Sequence, residues 1–173
     1  MGIKHFLKTV IGVGKDPPPA EVRPFTSKEA VEAEKESAWA QTFTTYPGPL
    51  AQHFGRGPVV EIGLKEDLST GLRDWALAHE RGHEAFIRDV PSRSGERLEW
   101  WENLDIQDVD ERELIEELVA DYYAFSSGTS LPADVKYLDR RVKDDYPDID
   151  PRRFRQLKSI AWKIVKSLPR ERL

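Results

Sequence analysis

Cysteine is absent from the 173 residues. That absence excludes disulfides, thiolate nucleophiles, Cys-ligated zinc and iron–sulfur clusters, so any metal must be held by His, Asp and Glu. Long apolar runs are missing too. No stretch approaches the ~18–20 residues needed to cross a bilayer, and Lys8 interrupts the apolar N-terminal stretch, which makes a poor secretory signal. The expectation is a soluble, cytoplasmic protein. Nor is there an excess of positive charge: 26 Lys and Arg against 31 Asp and Glu leave a net −5, a poor match to the phosphate backbone of nucleic acid. What the chain does have is 39% hydrophobic and 33% charged residues, enough for one domain with a true core under a charged surface.

Ile3, Phe6, Leu7, Val10 and Ile11 recur at helical spacing, a stripe that would bury against the body of the protein, a partner or a membrane surface. Pro17-Pro18-Pro19 follows, an extended, semi-rigid connector lacking backbone donors. Residues 1–24 therefore read as an amphipathic arm and connector, able to dock back on the cleft, and residues 25–173 as the main domain. Thr26-Ser27 with Glu29 caps a helix running to about residue 40. Strand character marks 43–46, and Val60, Ile62 and Leu64 alternate on one face of a second strand. The rest is helical by pattern: about 69–89, then from Asp108 or Asp110 to about Phe125 with Gly128 as the stop signal, then Val135, Leu138 and Val142 up to Pro147. A last helix carries Phe154, Leu157, Ala161, Ile164 and Leu168 as its buried stripe. The fold class expected is α+β, mostly helical, with a small β-sheet.

In the helix from about residue 69, the periodic set Leu72, Trp75, Ala76, His79, Gly82, His83, Phe86 and Val90 puts two histidines on the buried face. Four helical residues turn by about 400°, so the two imidazoles stand one turn apart and aim at a common point. The intervening residues make His79-Glu80-Arg81-Gly82-His83 an H-E-x-x-H pattern. In it Glu80 is displaced about 100° from the first histidine, beside a shared metal rather than on it, where it can take a proton from water. Zinc is the natural ion, because it accepts neutral imidazole nitrogen and lowers the pKa of its water to about 7. Gly82, a residue that costs ~1 kcal/mol relative to Ala inside a helix, calls for a packing reason such as close approach of a second helix.

A catalytic zinc site takes three protein ligands, and no third histidine follows shortly downstream. A carboxylate is expected instead. On the next helix Glu117 and Asp121 lie four residues apart on one face with Leu114, Ala124 and Phe125. Glu117 can reach the metal, and Asp121 can accept a hydrogen bond from the second ring nitrogen of a ligand histidine. Glu113 and Glu116 read as a solvated acidic face.

These residues resemble the gluzincin branch of the zincin metallopeptidases, in which a His-Glu-x-x-His helix precedes one reading Glu-x-x-Ala-Asp-x-x-Ala, here Glu117-Leu118-Val119-Ala120-Asp121-Tyr122-Tyr123-Ala124. The resemblance covers about residues 58–126 and is greatest to the compact minigluzincin and ImmA/IrrE types. It implies a zincin-like fold and a zinc endopeptidase acting on a peptide or protein substrate. In that reading His79, His83 and Glu117 ligate one Zn2+, Glu80 is the general base and acid, and Asp121 orients a ligand. It also implies that the strand at Val59–Leu64 forms the rim along which an extended peptide adds, and that an extra Tyr, His or Arg stabilises the oxyanion, a role the sequence leaves unassigned with Tyr122, Tyr123 and His53 as candidates. The alternative is a zinc-binding regulatory or peptide-binding protein without turnover; a third is a metal-free helical interaction protein.

Overall fold

The computed structural model describes residues 19–35, 38–45, 59–92, 109–129 and 146–168. The arm at 1–18, the helix expected around Val135–Val142 and His53 lie outside these residues. Among those described are three strands and four helices: β1 (Glu21–Pro24), α1 (Ser27–Lys35), β2 (Ala40–Thr45), β3 (Val59–Leu64), α2 (Thr70–Ser92), α3 (Val109–Ser126) and α4 (Pro151–Ser167). The fold is α+β and mostly helical. None of these helices is long and apolar enough to cross a membrane.

The sheet has the order β1-β3-β2. β1 runs parallel to β3, with Val22 opposite Ile62, and β2 runs antiparallel to it, with Thr42 opposite Ile62. Two sequence expectations change here. Glu21–Pro24, assigned above to the connector, is a strand of the domain. β3 is also no rim: it is the central strand with both edges hydrogen-bonded, so a peptide has no free edge to add to there. The strand beside the histidine helix that has an edge unpaired among the described residues is β2.

Alternation on β3 explains the first layer of packing. Val60, Ile62 and Leu64 are buried while Val59 is 59% exposed. Val60 and Ile62 cluster with Ala20, Leu77 and Ile87, which seats α2 on the sheet. The opposite side of α2 meets α3, and α3 in turn meets α4. Leu114, Ile115, Leu118 and Val119 pack there with Phe86, Leu157, Ala161, Ile164 and Val165, and full burial of each large aliphatic chain contributes about 1.5–3 kcal/mol.

Local chemistry sets the ends of these elements. Thr26 and Glu29 form a reciprocal capping box at α1, the Thr26 N–H donating to the Glu29 carboxylate at 2.7 Å and the Glu29 N–H to the Thr26 hydroxyl at 3.4 Å. Asp150 accepts from the Arg152 and Arg153 N–H groups at the start of α4, with Pro151 in the first turn. Arg153 grips Glu111 through two hydrogen bonds of 2.6 Å, tying α4 to α3. Gly128 has φ 80°, the left-handed conformation that glycine adopts freely after a helix end.

Candidate metal centre

α2 is covered on two sides, and its sequence supplies a stripe for each. Leu77, Glu80, Glu84 and Ile87, at spacings of three, four and three, line the side facing the sheet, where Leu77 and Ile87 meet its apolar face. Trp75, Ala78 and Ala85 face α3, packing on Ala124 and Tyr123. Between them Gly82 lies so close to α3 that an added Cβ would stand 2.5 Å from Ala120 Cα and 2.9 Å from its carbonyl oxygen. This is the packing reason the glycine called for. The contact also registers the two helices: His79 and His83 flank Gly82 in sequence, and Glu117 and Asp121 flank Ala120.

The result is a convergent set of four side chains. His79 Nε2 and His83 Nε2 are 3.2 Å apart. Glu117 reaches both, with Oε2 3.4 Å from His79 Nε2 and Oε1 3.5 Å from His83 Nε2. The far nitrogen of His79, Nδ1, is held by Asp121 Oδ1 at 2.8 Å, and Asp121 is 1% exposed. A carboxylate on Nδ1 turns Nε2 into the free ligand atom.

The arrangement fits a small divalent cation. Bonds of about 2.0–2.2 Å in a tetrahedron separate ligand atoms by about 3.3–3.6 Å; the two imidazole nitrogens lie 3.2 Å apart, and Glu117 comes within 3.4 Å of one through Oε2 and within 3.5 Å of the other through Oε1. The electrostatics agree. Burial works strongly against a charge on His79, yet hydrogen bonds to Asp121 and Glu117 outweigh it and push its pKa up to about 10. Burial, followed by the neighbouring His79, pushes His83 down. The cluster therefore favours one positive charge held between carboxylates, with a neutral imidazole beside it. A metal ion would take the place of that proton. Imidazole and carboxylate donors together suit first-row divalent metals, zinc among them.

Glu80 lies close to both imidazoles, and His79, Glu80 and His83 together form a group that could hold a metal ion. One of its ligand atoms lies within 4.8 Å of those of both histidines, and the residue is 6% exposed. Its Oε2 accepts a hydrogen bond of 2.6 Å from Thr42 Oγ1. The sequence reading missed Thr42, and also Glu84, whose buried carboxylate accepts from the Ala20 N–H at 2.6 Å and pairs with Arg81. The only trace of Glu84 was its spacing on the stripe that also carries Glu80. Thr42 left none.

Of the oxyanion candidates, Tyr122 lies against Trp162 on α4, with ring centroids 5.4 Å apart. Tyr123 packs with Ala85 and Leu168.

Because Asp121 holds Nδ1 of His79, Asp121→Asn should lower metal affinity about 10- to 100-fold. Competition against a chromophoric chelator measures this, and an unchanged affinity would remove Asp121 from the site.

Comparison with protein-family models, with curated proteins and with solved structures finds no match.

Proposed function

We propose that the chain is a zinc-dependent peptidase of the gluzincin type, with His79, His83 and Glu117 as ligands, Glu80 as general base and acid, and Asp121 orienting His79. The observation that supports this reading is the convergence of His79, His83 and Glu117, whose donor atoms pair at 3.2–3.5 Å, with a further carboxylate, Glu80, close to both histidines and hydrogen-bonded to Thr42. A purely structural zinc site has no use for that extra carboxylate.

Zinc bound by these ligands would supply Lewis-acid polarisation of a scissile carbonyl and acidify water at neutral pH. Glu80 accepts the proton of the attacking water and returns it to the leaving amine, two transfers by one group whose charge is restored at the end. Asp121 keeps the His79 ring in one tautomer throughout. An extended peptide would add along β2, the strand whose Thr42 touches Glu80, by main-chain hydrogen bonds.

Metal analysis of the purified full chain, together with a peptide-library digest read by mass spectrometry, tests this. One zinc per chain is expected, with cleavage that a chelator abolishes and added zinc restores, and His79→Ala should lose both. Chelator-resistant cleavage, or a chain that binds no zinc, overturns the proposal. Stoichiometric zinc without cleavage supports the non-catalytic alternative.

A further inference from the structure

Register places Ala40, Thr42 and Thr44 of β2 beside Leu64, Ile62 and Val60 of β3, on the face that α2 covers. At that position Thr42, itself half-buried, is the direct neighbour of Ile62, which is fully buried. Valine has the same shape and would suit the apolar side of these surroundings, so what the hydroxyl adds here is its polar contact. The partner is Glu80. Thr42 Oγ1 lies 2.6 Å from Glu80 Oε2 and 3.3 Å from the Glu80 carbonyl oxygen. A hydroxyl has one proton to give, and the shorter contact has the length of an O–H donating to a charged carboxylate.

We propose that Thr42 is a positioning residue for Glu80: its hydroxyl holds Oε2, fixes the rotation of the carboxylate and leaves Oε1 to exchange protons with water and the leaving amine. This rests on the peptidase reading, in which Glu80 is the base. Proton transfer rates depend steeply on the placement of the base, and a side chain with several rotatable bonds gains most from one anchored oxygen. The anchor also ties the base to β2, so the strand offered to a peptide and the group that acts on it move together.

Thr42→Val and Thr42→Ser are the test. Expected for Thr42→Val is a fall in kcat of about 10- to 100-fold, the worth of one hydrogen bond to a charged group. KM should stay within about twofold and zinc content should not change, while Thr42→Ser recovers kcat to within about threefold of the parent. Independently of turnover, the carboxyl-carbon NMR resonance of Glu80 should move in Thr42→Val and return in Thr42→Ser. An unmoved resonance shows that the hydrogen bond is missing and overturns the inference. A moved resonance with parental kcat overturns positioning while leaving the peptidase reading intact. A wild-type chain that holds zinc but cleaves nothing brings down the peptidase reading itself, and this inference with it.

Discussion

On the proposed peptidase reading, Glu80→Gln is expected to lower kcat by about 10²- to 10⁴-fold, the usual contribution of a general acid–base group, with the zinc content of the purified protein unchanged. Glutamine keeps the size and shape of the side chain, and its amide oxygen still accepts the hydrogen bond that Thr42 donates to Glu80 at 2.6 Å. The amide cannot take up and return a proton, and that is the single property removed. Metal retention is expected because the proposed ligands are His79, His83 and Glu117, whose donor atoms pair at 3.2–3.5 Å, and do not include Glu80. Steady-state kinetics on a peptide identified in the digest, with zinc measured by mass spectrometry on the same sample, gives both readouts. Parental cleavage by Glu80→Gln would show that the base is some other group. Loss of zinc would show that Glu80 is a ligand.

Gly82→Ala is expected to damage the proposed metal centre although it touches none of the proposed ligands. The new methyl carbon would meet Ala120 Cα at 2.5 Å and the Ala120 carbonyl at 2.9 Å. Both are backbone atoms, so no side-chain rotation relieves the clash. Alanine gains up to ~1 kcal/mol of helix propensity, whereas overpacking of this kind costs about 1–3 kcal/mol, so the balance is a loss of stability. The larger effect is on geometry. α3 must back away from α2, and Glu117 and Asp121 leave with it. Metal affinity should fall at least about 10-fold, as when a group supporting a metal ligand is removed, with a lower Tm in thermal unfolding. Gly128→Ala provides the contrast. A Cβ there meets nothing within 4 Å, but φ is +80°, so the change costs roughly 1–2 kcal/mol of backbone strain and should leave metal affinity as it was. Equal metal affinity in Gly82→Ala and the parent would show that the helix contact does not set the site.

How much of this was legible in the chain depends on the range of the interaction involved. Helix periodicity is local, so the placement of His79 and His83 on one face and of Glu117 and Asp121 on another could be read from spacing alone. The same holds for the alternation of Val60, Ile62 and Leu64, the capping pair Thr26 and Glu29, and the stop at Gly128. β1 escaped notice because four residues after a proline run are too few to show a period. The rim was assigned to β3 because alternation reports which face of a strand is buried and says nothing about which edges are paired. Thr42 escaped because its partner is 38 residues away, and Glu84 because its partner at Ala20 is 64 residues away.

The amino-acid sequence by itself determined the kinds of donor available, their grouping in two helices and the exclusion of every cysteine ligand, since composition and 3.6-residue periodicity need no neighbours to act. Only the tertiary structure decided that the two helices cross at Gly82 and Ala120, and so bring Glu117 within 3.5 Å of both imidazoles. It also decided that β2, not β3, lies alongside Glu80 with an edge unpaired among the described residues. Contacts of this kind depend on which surfaces meet when the core closes, and that is a property of the packed layers rather than of any one segment.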